Sequence, residues 1–181
     1  MARFPIASEA DASEEVVRVL VDFRTKMGFA EAPNFIKAQA AAPAVMNGTW
    51  QLVQNVLVKG TLPRSLKEMI FVAISVDRNC GYCEAAHIAC CRMLGVDEAT
   101  LTTLVNNIDE MLPVRARDII RFAVKCARSP QALDDADFAR LRVHGLNDAE
   151  LTELIAMSGL AIYANTLADA TQIEPDSMFF G

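Results

Sequence analysis

No block of Lys or Arg occurs anywhere in this chain, whose formal net charge is −6 and whose pI is near 4.9. An acidic surface repels phosphate backbones, which argues against a nucleic-acid partner. Long apolar runs are missing too: the longest uninterrupted stretches are about 6–8 residues, too short to cross a bilayer. The opening "MARFPIASEADASEEVV" has one Arg but no apolar stretch behind it of the kind a secretion signal needs. A cytoplasmic location and no membrane partner are therefore expected. Five cysteines, an odd number, do not suit a disulfide-stapled secreted scaffold. No segment alternates with period two over the length of a strand. Only two histidines are present, and one of them lies four residues after a Cys-x-x-Cys pair.

What is there is helical. Hydrophobic residues make up 52% and charged residues 22% of 181 residues, enough to build one core without staples. One domain over 1–181 is expected. Ser13, followed by Glu14 and Glu15, reads as an N-cap with first-turn acids, opening an apolar stripe of Val16, Val17, Leu20, Val21 and Phe23 that stops at Gly28. A short helix is predicted over 34–41, between Pro33 and Pro43, and another over 44–58, ending at Lys59-Gly60. These make up an N-terminal helical part over 1–60.

From 62 onward the chain repeats itself. Residues 62–107 align without gaps with 112–157 at an offset of 50, with 13 identities in 46 pairs. Leu-Pro opens both copies, Arg92–Gly95 matches Arg142–Gly145, and "DEATLTTLV" is answered by "NDAELTELI". Gly95 and Gly145 read as helix C′ positions, and Asp97 and Asn147 as the next N-caps. Each copy is a helix–helix–helix unit, followed by a C-terminal helix and tail over 158–181. The thiols break the match: Cys80, Cys83 and His87 face Pro130, Leu133 and Asp137. Packing alone would suit both copies, so a feature kept in one reads as a site placed on a scaffold.

The stretch "RNCGYCEAAH", 78–87, holds that site. Helices are predicted over 64–76 and 81–94, the second capped by Asp77 or Asn79, which puts Cys80 and Cys83 at a helix start. There the helix dipole favours thiolate. His87 is at i+4 from Cys83, on the same face, placed to take its proton. Glu68 is the only acid in "LKEMIFVAISV", a segment apolar nearly all round. A buried carboxylate there needs a partner, either His87 or Arg64. No metal is expected: Cys83 and Cys91 are eight residues apart on one helix, about 12 Å at about 1.5 Å per residue, beyond the span of one zinc. Cys90 is excluded in the same way, and Cys90, Cys91 and Cys126 read as core residues. Tyr82 is a possible accessory residue that could stack, donate a hydrogen bond or cover the helix start. His144 reads as a helix C-terminal residue.

Glu68, eleven intervening residues, then Cys80-x-x-Cys83-x-x-x-His87 resembles the signature of AhpD-like alkylhydroperoxidases in the carboxymuconolactone decarboxylase superfamily. "GTLPRSLKEMIFVAIS" and "ANTLADAT" resemble its peroxidase-related branch. The resemblance implies an all-α bundle packed as a trimer or hexamer, and a dithiol peroxidase that needs no cofactor. It implies Cys83 as the thiolate that attacks a hydroperoxide, with His87 and Glu68 as its proton relay and Cys80 as the resolving thiol. A dithiol reductant would reset the pair, lipoyl-bearing proteins being one kind. In the best-studied branch a histidine stands where this chain has Tyr82, and a phenol is a poorer shuttle at neutral pH. Two other readings stay open: a decarboxylase or related lyase, whose relatives generally lack the thiol pair, and a non-catalytic thiol redox sensor.

Overall fold

The Ser13 side chain accepts from the Val16 N–H and opens α1 (Glu14–Met27), which ends on Gly28 in the left-handed conformation. Its buried residues are Val16, Leu20, Phe23 and Met27, the spacing of one helical face. The structure, a computed structural model, describes residues 2–111 and 113–180. Leu112, which opens the second sequence repeat, lies outside the described residues. Among the described residues the chain is helical and has no strand.

Helix α2 (Asn34–Lys37) is shorter than the predicted 34–41. The cause is Gln39, whose side chain donates to the Phe35 carbonyl at 2.9 Å and accepts from Thr49 Oγ1 at 2.6 Å. The carbonyl that a continuing helix would bond through the backbone is thus taken by a side chain. Helix α3 (Pro43–Val53) starts on proline, and the rest of the segment predicted as one helix widens into a π-turn over Gln54–Val58. Lys67, almost fully buried, donates to the Val56 carbonyl at 2.8 Å and to that of Lys59, and pairs with Glu153. These bonds satisfy the carbonyls that the wide turn leaves open.

Helix α4 (Arg64–Asp77) runs through the middle of the molecule and touches α5 (Gly81–Met93), α6 (Glu98–Asn106), α7 (Val114–Arg128) and α9 (Asp148–Thr171). Its residues 70–75 are all buried, as a helix apolar on every side requires. Helix α8 (Asp135–Val143) completes the set. The repeat is visible in the elements: α4, α5 and α6 correspond to α7, α8 and α9 at the offset of 50. Gly95 and Gly145 have φ of 80° and 85°, a conformation that favours glycine. Asp97 and Asn147 cap α6 and α9 through their side chains. The copies part where the thiols lie. In the second, Pro130–Ala132 forms a 3-10 turn and α8 begins only at Asp135, so the first turn of α5 has no counterpart.

By length and composition α9 could cross a membrane, although no uninterrupted apolar run in the sequence suggests it; half of that stretch is buried within the fold. The buried residues of all these helices join in one core. The tail beyond α9 closes with a 3-10 turn over Ser177–Phe180, with Phe179 buried.

Candidate active site

Only residues 78–80 separate α4 from α5, so the two helices fold back on each other and residue 68 comes to face residue 87. The turn is made differently from the sequence expectation. Asn79 is in the left-handed conformation, with φ of 57°, and does not cap α5. Asp77 pairs with Arg128 instead. Cys80 itself occupies the cap position without a side-chain bond, its N–H donating to the Ser75 carbonyl at 2.9 Å.

This turn buries both sulfurs: Cys80 is 0% and Cys83 2% exposed, and all five cysteines are free thiols. The two side chains are hydrogen-bonded to each other. Behind them, the Cys80 thiol lies 4.0 Å from the carbonyl of Asn165 on α9. The hydrogen bond with Cys80, followed by burial, pushes the Cys83 thiol well above its ordinary value; a hydrogen bond with the Asn165 side chain acts the other way. Dipole and imidazole were expected to hold Cys83 ionised. The Cys80 thiol and burial oppose that expectation, so the Cys83 proton has to be taken by a base before the sulfur can react.

Glu68, fully buried, sits where a base would be oriented. Its Oε1 accepts from Arg64 Nε at 2.6 Å and its Oε2 from His87 Nδ1 at 2.5 Å, so both candidate partners are used. Burial alone would raise this carboxyl; His87 and then Arg64 outweigh it and hold it below the usual carboxylate range. An ionised Glu68 accepts the hydrogen bond of His87 Nδ1–H, which leaves Nε2 as the basic nitrogen of the ring. The ring lies flat on Phe71, with centroids 3.5 Å apart and planes 13° apart. Position and tautomer of His87 are thereby set by two residues of α4.

A cavity of about 50 Å³ lies against this pair. Cys83, His87 and Cys90 line it, between walls of Phe23, Phe29, Phe35, Phe71 and Phe179. Cys80 and Glu68 are not among its lining residues. Glu68 thus stands behind His87, and Cys80 behind Cys83. Cys90, expected as core filler, shares the cavity, while Cys91 and Cys126 are simply buried. Ligand-type atoms of Glu68, His87 and Cys90 lie within 4.8 Å of one another. However, both oxygens of Glu68 already accept hydrogen bonds from Arg64 and His87, and a cation would have to displace these donors. The arrangement reads as a hydrogen-bonded relay.

Tyr82 also lines the cavity, yet its hydroxyl is committed elsewhere. It donates to Asp176 Oδ2 at 2.8 Å, accepts from the Phe35 N–H at 2.9 Å, and its ring meets Phe179 edge-on. Burial, then the Asp176 charge, push its ionisation far above the ordinary value. Of the roles open to it, Tyr82 donates a hydrogen bond and packs its ring on Phe179, fastening the C-terminal tail and the start of α2 over the cavity. Tyr82→Phe should lower stability by about 1–3 kcal/mol, because Asp176 and the Phe35 N–H lose a buried partner. A denaturant titration checks the loss, and the pH of half-maximal turnover should stay at the wild-type position. His144, at the end of α8, bonds Asp118 at 2.8 Å and stays outside the site.

The family model of the carboxymuconolactone decarboxylase family matches residues 43–112. A solved structure titled as an AhpD core, a peroxidase-related protein from Ralstonia eutropha, superposes with a TM-score of 0.90 at 26% identity, covering 99% of this chain and 94% of that one. A peroxidase-related protein from Silicibacter gives 0.88 at 28% identity, covering 99% and 93%. Over residues 43–112 the chain matches the carboxymuconolactone decarboxylase family, and its whole fold is AhpD-like. The debrominase Bmp8, solved with 2,3,4-tribromopyrrole, shares the fold with a TM-score of 0.83 at 17% identity, covering 99% and 96%. No curated protein matches. Within this AhpD-like fold, sequence reasoning found Glu68, Cys80, Cys83 and His87, which the α4–α5 turn brings together. It missed Asn165 and Ser75, buried on α9 and α4. Their signal was a lone carboxamide in "GLAIYANTLADA" and a lone hydroxyl in "IFVAISV".

Proposed function

We propose that the protein reduces a hydroperoxide with its Cys80–Cys83 dithiol. One observation carries this reading: of the two hydrogen-bonded thiols, Cys83 lines the cavity together with His87, while Cys80 lies behind it. His87 Nε2 takes the proton of Cys83, and Glu68 stabilises the imidazolium that forms. The thiolate attacks the terminal oxygen of R–O–OH, so the O–O bond breaks and Cys83 becomes a sulfenic acid. The RO⁻ fragment takes the proton from His87 and leaves as an alcohol. Cys80 then attacks the sulfenic sulfur, water departs, and the Cys80–Cys83 disulfide closes. An external dithiol returns the pair to two thiols and is itself oxidised to a disulfide. Such a reductant, and assembly into a homo-oligomer, belong to the same proposal.

Cys80→Ser tests the order of events. One equivalent of hydroperoxide should then leave a sulfenic acid on Cys83, trapped by dimedone and located by mass spectrometry, with catalytic turnover lost. An adduct on any other cysteine would reverse the assignment. The aromatic cavity walls favour a second reading, since they suit a flat halogenated ring of the kind bound by the debrominase of this fold. Bromide release from such rings, with no peroxide consumed, would move the dithiol to that chemistry. A disulfide that forms with peroxide but does not turn over with any dithiol would make the protein a sensor.

A further inference from the structure

The cavity beside Cys83 and His87, of about 50 Å³, has room for a molecule or two of the size of water. Hydrogen peroxide fits it; a hydroperoxide carrying a phenyl ring or a long alkyl chain does not. Next to it lies a surface groove of about 250 Å³, with Gly28, Ala89, Met93 and Met178 in its lining. Phe29 and Phe179 line both spaces. Their rings, with centroids 6.1 Å apart, thus form the partition between the buried thiol and the groove. Joined, the two spaces would reach about 300 Å³, the lower end of the range in which small organic ligands are usually held. The side chains lining the groove are apolar apart from Arg92, and that guanidinium is held by Glu98 through bonds of 2.6 and 3.0 Å.

Of the two partition rings, Phe179 is the one that can leave. Phe29 directly follows the residue that ends α1, and its N–H donates to the Arg24 carbonyl at 2.9 Å. Phe179 lies beyond α9 in the 3-10 turn over Ser177–Phe180, so its displacement leaves every helix of the core in place. The turn is pinned through Asp176. That carboxylate accepts from the Asn34 N–H at 3.0 and 3.1 Å and from the Tyr82 hydroxyl at 2.8 Å. The Asp176 carbonyl in turn accepts the Phe179 N–H at 3.0 Å. Latch and ring are three residues apart, so release of Asp176 frees the ring.

We propose that Phe179 is the gate that sets which hydroperoxide reaches Cys83. With the ring in place the site takes hydrogen peroxide. With the tail turned out, cavity and groove become one, and an apolar organic hydroperoxide enters with its –OOH end toward Cys83 and its hydrocarbon part along Met93. This rests on the reading of Cys83 as the attacking thiol.

The test compares small with bulky reagents in wild type, Phe179→Ala, Asp176→Ala and Phe180→Ala. Two ratios are measured. One is kcat/KM for cumene hydroperoxide over that for hydrogen peroxide. The other is the alkylation rate of Cys83, located by mass spectrometry, with iodoacetanilide over that with iodoacetamide. These two alkylating agents share one chemistry and differ by a phenyl ring. Phe179→Ala should raise both ratios by about tenfold or more, the scale on which an apolar pocket sorts molecules by size. Asp176→Ala, which unpins the tail and keeps the ring, should raise them in the same direction. Phe180→Ala, whose ring is 70% exposed, should leave them at the wild-type values. A merely structural Phe179 would, when removed, change the rates for small and bulky reagents together. Unmoved ratios in folded Phe179→Ala or Asp176→Ala, or an equal rise in Phe180→Ala, overturn the gate. Alkylation does not depend on peroxide turnover, so the two readings fail separately. Wild type that consumes no peroxide sinks the peroxidase reading, while unmoved ratios in an active enzyme sink the gate alone.

Discussion

Cys83→Ser is expected to abolish hydroperoxide consumption, with turnover lowered by at least about 10³-fold and the fold retained. A hydroxyl is close in shape to the thiol and can still hydrogen-bond, but it is not oxidised by a peroxide. Among the described residues, the one other thiol on the cavity wall is Cys90. Burial, and next the charge of Glu68, push the Cys90 thiol far up. Steady-state peroxide consumption with an excess of dithiol measures the loss directly. Residual turnover within tenfold of wild type would transfer the nucleophile to Cys90 or Cys80.

Glu68→Gln should have the second-largest effect, and on two properties at once. Glutamine keeps the shape but carries no charge to balance Arg64 or the imidazolium that His87 becomes. Turnover should fall by about 10²-fold, the usual scale for a disabled proton relay. Stability should fall by about 2–3 kcal/mol, since one member of a buried charged set is removed and the others remain. Denaturant titration gives the stability loss, and kcat under saturating peroxide gives the catalytic one. The wild-type carboxyl also sets an acid limit. Its folded-state pKa lies below the ordinary carboxylate value, so its contribution is fully present above about pH 4–5, where the unfolded carboxyl ionises. It is lost as the pH falls through the lower, folded value. In Glu68→Gln this part of the acid sensitivity should be missing, and the stability difference from wild type should shrink below about pH 4.

Much of the fold could be read from local punctuation. Ser13, Asp97 and Asn147 cap the helices they were expected to cap, and Gly95 and Gly145 end the ones before. These choices depend on residues within one turn of each other. The failures have distant causes. Helix α2 stops early because Gln39 and Thr49 claim a carbonyl, and the π-turn over Gln54–Val58 is held by Lys67 from the next helix. In the site, Glu68 and His87 were legible because an acid on an apolar helix must find a partner, and the short turn leaves His87 within reach. Arg64 was weighed as a rival partner; the carboxylate has two oxygens and takes both. The upward push on the Cys83 thiol was not legible, because it follows from the nearness of Cys80 and from burial. The occupation of Tyr82 was hidden for a similar reason: Asp176 is 94 residues away in the chain.

The central claim is that Cys80 and Cys83 act as one two-electron reductant. Fully reduced protein treated with one equivalent of an organic hydroperoxide, then mapped by peptide mass spectrometry, tests this most directly. The account predicts one equivalent of alcohol, a Cys80–Cys83 disulfide, and Cys90, Cys91 and Cys126 still free. Protein in which all five thiols survive the treatment, or in which the disulfide joins another pair, would contradict it.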